Sequence, residues 1–275
     1  MAAENTDIEL RLLLDAIYLK YHYDFREYAA ASLKRRLTNA PGRFGCETLS
    51  QLQHKVLYEP AAFAALLSLL TVPVSEMFRD PSYFRSLREK VIPILRTYPS
   101  LKIWVAGCST GEEVYSLAIL LREEELLERT LIYATDINPQ SLQKAAAGVY
   151  AVDRIAGFTE NHRKSGGRAS LSDYYTAAYG RAVFDKSFKR HIVFSDHSLA
   201  TDSVFAEVQL VSCRNVLIYF NGDLQNRAVG LFRDALCRKG FLGIGMKESL
   251  KFSPHGQSFV ELVQGDRIFQ KGNEP

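Results

Sequence analysis

Two hydropathic textures divide the chain. Up to about residue 72, apolar side chains recur at helical spacing in "IELRLLLDAIYLKY", "REYAAASLKRRL", "ETLSQLQHKVL" and "EPAAFAALLSLL". Pro41-Gly42 separates the second run from the third. Thr71–Pro81, with prolines at 73 and 81, reads as a connector, and "SYFRSLREKVIPILRTY" resumes as a helix. Beyond it the pattern changes to short continuous apolar runs, "LKIWVAG", "TLIYATDI", "VQLVSCRNVLIYF" and "GFLGIGM". These alternate with helical patterns, "EEVYSLAILLREEELL", "PQSLQKAAAG" and "GDLQNRAVGLFRDAL". Such alternation predicts an α/β unit, a parallel sheet wrapped by helices, with its site at the carboxyl ends of the strands. From about Phe158 to Phe194 the pattern loosens into a polar, Gly-containing stretch, expected to be a small, partly β insertion across the strand ends. The expected division is a helical unit at 1–72, a connector at 73–84 and an α/β unit at 85–275, with the insertion at about 158–196.

Composition narrows the class. A chain of 275 residues, 47% hydrophobic, can bury a full core in one large domain and a smaller one. Its net charge of +3 does not mark a nucleic-acid binder. The N-terminal "MAAENTDIELRLLLDAIYLK" carries acids where a signal peptide needs bases, and no run approaches the roughly 18 apolar residues of a membrane span. The four cysteines (46, 108, 213 and 237) lie far apart, which suggests neither a zinc site nor a disulfide framework. No metal is expected, and a reduced cytoplasmic protein is the default.

The candidate chemistry lies in "IWVAGCSTGEEVYSLAILL", Ile103–Leu121, a strand, a Gly-x-Ser-x-Gly turn and a helix. A serine hydrolase would use Ser109 as nucleophile, with Asp202 and His255 in the right chain order. Yet no HGGG-like oxyanion segment precedes it, and two carboxylates after the turn oppose a developing oxyanion. A dinucleotide site needs glycines where Ser109 and Glu112 stand, and it would place Glu112 and Glu113 beside phosphates. S-adenosylmethionine reverses the electrostatics, because it carries a sulfonium and an ammonium and no phosphate. A carboxylate opening the first helix then attracts it. Asp136, ending "YATDINP" one βαβ unit later, stands where a ribose-binding acid belongs. Competing readings are dipole complementarity for Glu112 and Glu113, and a helix N-cap for Asp136.

The motifs "MFRDPSYF", "AGCSTGEEVYSLAILL", "YATDINPQSLQKAAAGVY", "CRNVLIYF" and "GIGMKESL", in this order, resemble the CheR family of protein-glutamate O-methyltransferases that act on chemotaxis receptors. The resemblance covers nearly the whole chain. It implies an all-helical N-terminal domain, a Rossmann-like S-adenosylmethionine-dependent methyltransferase domain, and a small inserted β-subdomain able to dock a receptor tail peptide. It implies that Glu113 binds the amino-acid part of the methyl donor, that Asp136 binds the ribose hydroxyls, and that Ile137 lies against the adenine. Arg214 and Asn215 would line the donor site. Ser75 would keep the hydroxyl of a donor-binding threonine, and Ser198-Leu199 stand where the family has Asn-Leu. Arg79 and Tyr219 would face the transferring methyl and the incoming glutamate. The chain departs from the family pattern at Pro73 and Ser198, where amide side chains are usual, and at Met246-Lys247.

At neutral pH a glutamate is already ionised, so its methylation needs orientation rather than a general base. An arginine fork suits a planar carboxylate. Outside the resemblance, Arg79 could form a surface ion pair with Asp80, Tyr219 could be a core aromatic, and Arg214 could brace the sheet. Lys34-Arg35-Arg36 could contact an acidic substrate helix or form a solvated face; the first 60 residues balance eight basic against eight acidic side chains. The expected function is methylation of glutamate side chains on the cytoplasmic helical domain of a chemoreceptor or a related signalling protein. S-adenosylhomocysteine is the co-product, and a monomer with neither nucleic acid nor direct membrane insertion is expected. The alternative, motivated by Pro73 and Ser198, is a donor-binding regulatory module of low activity.

Overall fold

The computed structural model describes residues 2–272. Helices α1 (Ala2–Tyr21), α2 (Ala30–Leu37), α4 (Leu49–Tyr58) and α5 (Pro60–Thr71) correspond to the four periodic runs. The expected break at Pro41-Gly42 is a single helical turn, α3 (Ala40–Arg43), which admits Pro41 because a first-turn N–H has no intrahelical partner. Leu13, Ile17, Phe25, Leu52, Val56 and Leu66 form the fully buried centre of this helical layer.

The helix after the connector starts at Pro81, earlier than the expected limit of 84, and runs as α6 (Pro81–Ser86), a π turn over Leu87–Val91, and α7 (Ile92–Leu95). The wide turn lies just before Pro93, which has no N–H to donate and would crowd the preceding turn of a regular helix. The α/β part follows as β1 (Leu101–Ala106), α8 (Glu112–Glu123), β2 (Thr130–Asp136), α9 (Pro139–Ala147), β3 (Val149–Ala151), α10 (Ile155–Lys164), β4 (Tyr175–Ala178) and β5 (Arg181–Phe184). It continues with β6 (Ile192–Asp196), β7 (Val208–Cys213), α11 (Gly222–Ala235), β8 (Leu236–Ile244), β9 (Phe259–Val263) and β10 (Ile268–Lys271).

The main sheet has the order β6-β2-β1-β7-β8-β10-β9. Its first five strands are parallel, as the continuous apolar runs implied, but β10 pairs antiparallel with both β8 and β9. That final hairpin escapes the periodicity because "FVELV" and "IFQK" are short and half-exposed. The inserted sheet, β3-β5-β4, is also shifted from its expected limits. Val149–Ala151 belongs to it, whereas Ile192–Asp196 pairs parallel with β2 as an edge of the main sheet. Exposure of alternate residues along β6 weakens its apolar signal and makes it resemble the insertion. One core layer packs α8 and the α6–α7 segment on one face of the sheet, and a second, around Trp104 and Phe232, packs α11 on the other.

Strand order turns at β1. The chain runs from β1 outward to β2 and β6, and then from β7 outward to β8, so the gap between β1 and β7 is the switch point where an open α/β sheet forms its crevice. The helical layer closes one side of it. Ala29 N donates to Tyr219 O (2.8 Å), Asn221 N donates to Glu27 O (2.9 Å), and Asn138 Nδ2 donates to Thr71 Oγ1 (2.8 Å).

Candidate active site

A cleft of about 1000 Å³, counted to its open mouth, lies at the carboxyl ends of the parallel strands. Its walls come from the ends of β1 (Gly107–Ser109), β2 (Asp136, Ile137), β6 (His197, Leu199) and β7 (Arg214–Val216 and Ile218–Phe220), with Leu70–Val72, Val74, Ser75 and Arg79 from the connector side. The floor is backbone. Gly107 sits at φ +74°, and a Cβ there would come within 2.5 Å of Val216; at Gly111 (φ +91°) it would come within 2.8 Å of Ala145. Three non-glycine residues of the cleft wall also have left-handed backbone, Val72 (φ 45°), Ser109 (φ 50°) and Asn215 (φ 61°). Such strain persists where the surroundings enforce it, commonly at a ligand site.

The two acids of "GEE" part ways. Glu112 is fully buried and faces away from the cleft: Oε1 accepts from Arg154 NH1 (2.7 Å) and Oε2 from Thr110 Oγ1 (2.6 Å). Only Glu113, the acid that the family resemblance singles out, reaches the cleft wall. Ser212 Oγ donates to its Oε1 (2.6 Å) and Arg214 NH1 to its Oε2 (3.1 Å), which leaves a fixed carboxylate on the cleft side. Arg214 does touch the cleft, yet its side chain is only 1% exposed. NH2 donates to Arg79 O (2.8 Å) and Asp80 Oδ2 (2.7 Å), and the guanidinium stacks over the Tyr83 ring at 4.2 Å. It therefore braces both the connector and Glu113.

Asp136 is not the helix cap. Asn138 caps α9, with Oδ1 accepting from Gln140 N and Ser141 N. Asp136 instead takes one backbone N–H on each oxygen, from Ser109 (2.8 Å) and Asn138 (2.9 Å), and keeps acceptor capacity for a diol. Burial raises its pKa from the ordinary aspartate value and the nearby Asp196 adds to this, against the backbone N–H groups. A raised pKa means that protonation on acidification begins above the ordinary value of about 3.9. The ionised form costs folding free energy above that pKa and the cost is relieved below it, whereas a diol needs the ionised acceptor. Affinity for S-adenosylhomocysteine should therefore fall as pH drops from 7 toward the ordinary carboxylate range. Calorimetric titration at a series of pH values checks this: Asp136→Asn should bind weakly throughout, with a flattened acid limb.

Arg79 lines the cleft and its guanidinium has no ion-pair partner among the described residues, since Asp80, the expected competitor, is bonded to Arg214. Tyr219 and Ser75 line it too, with Ile137 and Leu199 as apolar wall. Ser198 does not: its N–H donates to Asp202 Oδ2 (2.9 Å), and Leu199 faces in instead. The basic run splits three ways. Lys34 pairs with Asp7 (2.6 Å), Arg35 is exposed, and Arg36 lies over the Tyr219 ring at 4.9 Å while donating to Ser32 and Leu70 O. None of the three lines the cleft.

The hydrolase reading fails on geometry. Ser109 Oγ is buried and makes no hydrogen bond, Asp202 caps the turn at Ser198, and His255 bonds Arg233 (3.0 Å) against α11. No base accompanies the hydroxyl. His197 and Glu248 were not anticipated. His197 is buried in the cleft wall with Nε2 on Ser203 O (3.1 Å), and Glu248 holds the turn after β7.

A glycine turn, one carboxylate at the start of α8 and another at the end of β2 thus meet at the switch point of a doubly wound sheet, where an open α/β sheet binds its ligand. The SAM binding domain that the chain carries makes it an S-adenosylmethionine-dependent methyltransferase. The chain belongs to the CheR methyltransferase family: the model of its SAM binding domain matches residues 73–265, and that of its all-alpha domain matches residues 8–71. Cher3 of Pseudomonas putida is 61% identical over 267 residues, covering 97% of this chain and 98% of that one. The chemotaxis protein methyltransferase of Listeria innocua is 30% identical over 229 residues, 82% of this chain and 84% of that one. Among solved structures, the N-methyltransferase NodS of Bradyrhizobium japonicum in complex with S-adenosyl-L-homocysteine aligns with 72% of this chain and 90% of its own, at 12% identity and a TM-score of 0.40. S-adenosylmethionine is the cofactor. No helix among the described residues is long and apolar enough to cross a membrane.

Proposed function

We propose that the protein methylates glutamate side chains on the cytoplasmic helical domain of a chemoreceptor or related signalling protein, producing glutamate methyl ester and S-adenosylhomocysteine. The observation that carries this reading is Arg79, a guanidinium in the wall of the cofactor cleft without an ion-pair partner among the described residues. Chemotaxis methyltransferases among the relatives support the choice of substrate.

Bound S-adenosylmethionine supplies a methyl group on a sulfonium that is a good leaving group. Glu113 meets the donor's ammonium, Asp136 the ribose hydroxyls, and Ile137 and Leu199 flank the adenine. Arg79 holds the incoming carboxylate, which is ionised at neutral pH and needs no base. Its fork must orient the oxygens without a tight bidentate pair, which would reduce their nucleophilicity. Tyr219, under Arg36, shapes the side where the glutamate enters. The division at 1–72, 73–84 and 85–275 belongs to this reading, as do a cytoplasmic location, a monomeric state and docking of a receptor tail on the β3-β5-β4 sheet.

Transfer from methyl-labelled donor into proteins of a cell extract tests the proposal. A carboxyl methyl ester is base-labile, so alkali should release the label. Label that survives alkali overturns the glutamate assignment, and S-adenosylhomocysteine binding without transfer would favour the regulatory module.

A further inference from the structure

The segment after β8, "GMKESL", places an acid directly after the buried apolar run "FLGI" that ends the strand. Glu248 is 4% exposed and has no Lys, Arg or His partner among the described residues. Its carboxylate is satisfied by main chain instead: Oε2 accepts from Gly245 N and from Asn215 N (3.1 Å), and Oε1 accepts from Ile218 N (3.2 Å). The loop closes behind it through Glu248 N on Gly245 O (2.9 Å). A buried anion held by convergent N–H groups is the side-chain counterpart of an anion-binding nest.

What it holds is the cleft wall. β7 and β8 run parallel with Cys213 beside Ile244, so the chain leaves both strands side by side. Asn215, in left-handed backbone at φ 61°, lies against Gly245, where a Cβ would fall 2.8 Å from Asn215 N and 2.8 Å from Glu248 Oε2. Ile218 immediately precedes Tyr219, and Asn215, Ile218 and Tyr219 all line the cleft, whereas Glu248 does not.

We propose that Glu248 is a positioning residue of the cofactor cleft: by clasping the N–H groups of Asn215 and Ile218 from behind, it sets where Asn215 and Tyr219 stand. It touches no substrate and acts through the turn it holds. Glutamine is isosteric but offers one acceptor oxygen and an NH₂ that would face N–H groups, so the clasp cannot close around it.

Calorimetry with S-adenosylhomocysteine and amide hydrogen exchange test this together. Glu248→Gln should lower affinity about tenfold, the size expected when a charge-assisted hydrogen bond is lost. Exchange should quicken at Asn215 and Ile218, with the amides of β1 and β2 unchanged. Gly245→Ala, which keeps the carboxylate but wedges a methyl between it and Asn215, should give the same pair of changes and carries the test if the glutamine variant does not fold. In the wild type, added S-adenosylhomocysteine should slow exchange at the same two amides. Affinity within about twofold of wild type in a variant overturns the proposal, as does a tenfold loss with both amides still protected. So does wild-type exchange at Asn215 and Ile218 that is indifferent to S-adenosylhomocysteine, in protein shown to bind it. Wild-type protein that fails to bind it at all contradicts the cofactor site itself, a separate result.

Discussion

Replacing Arg79 by alanine should lower kcat for methyl transfer about 100-fold while S-adenosylhomocysteine still binds, since a small misplacement of a reacting group costs rates of that order. The expectation rests on a division of labour between neighbours. Asp80, the acid next to Arg79, is bonded to Arg214, and Arg79 contributes its carbonyl, not its side chain, to the same network. Removing the guanidinium therefore leaves the brace intact and empties only the cleft wall. Arg79→Lys should recover little, because an ammonium cannot orient both oxygens of a planar carboxylate. Single-turnover transfer beside product titration separates the two effects; unchanged transfer in Arg79→Ala would remove Arg79 from the reaction.

Arg214→Ala should destabilise the fold by about 3 kcal/mol, the lower end of the range for removing one partner of a buried ion pair. The lower end applies because Glu113 and Asp80 are 15% and 32% exposed, and water relieves part of the loss. The guanidinium joins Glu113 at 3.1 Å, Asp80 at 2.7 Å and the Arg79 carbonyl at 2.8 Å, so one deletion loosens β7, the start of α8 and the connector together. Equilibrium denaturation measures the effect. Arg214→Lys should remain destabilised, since a point charge cannot span these partners or stack on Tyr83. A loss below about 1 kcal/mol, the range of exposed pairs, would mean that the pairs are not buried in solution.

Much of this architecture was legible because each element was bounded by chemistry. The glycine turn, the acid opening α8 and the acid closing β2 each stand at the carboxyl ends of the strands, where an open α/β sheet forms its crevice. What the linear order could not resolve was direction. The resemblance singled out Glu113, but residue order alone does not place Glu112: a rotation of about 100° between successive helical residues, with Arg154 on one side, sends Glu112 into the interior and Glu113 to the cleft. A helix N-cap was the competing reading of Asp136, and the structure gives that role to Asn138. Lys34, Arg35 and Arg36 read as one basic stripe, although each meets a different environment. Glu248 went unnoticed because its partners are backbone amides, which leave no mark in side-chain patterns. The β9–β10 hairpin and the limits of the small sheet were missed for a related reason: short, partly exposed strands carry little periodicity.

The central claim is that the Arg79 side of the cleft presents a glutamate carboxylate to the methyl donor. Incubation of the purified protein with methyl-labelled donor and a purified chemoreceptor cytoplasmic domain, followed by peptide mass mapping, tests it most directly. The account predicts base-labile methyl groups on glutamate side chains, abolished by Arg79→Ala. Methyl groups on nitrogen or sulfur, or glutamate methylation that persists without Arg79, would contradict it.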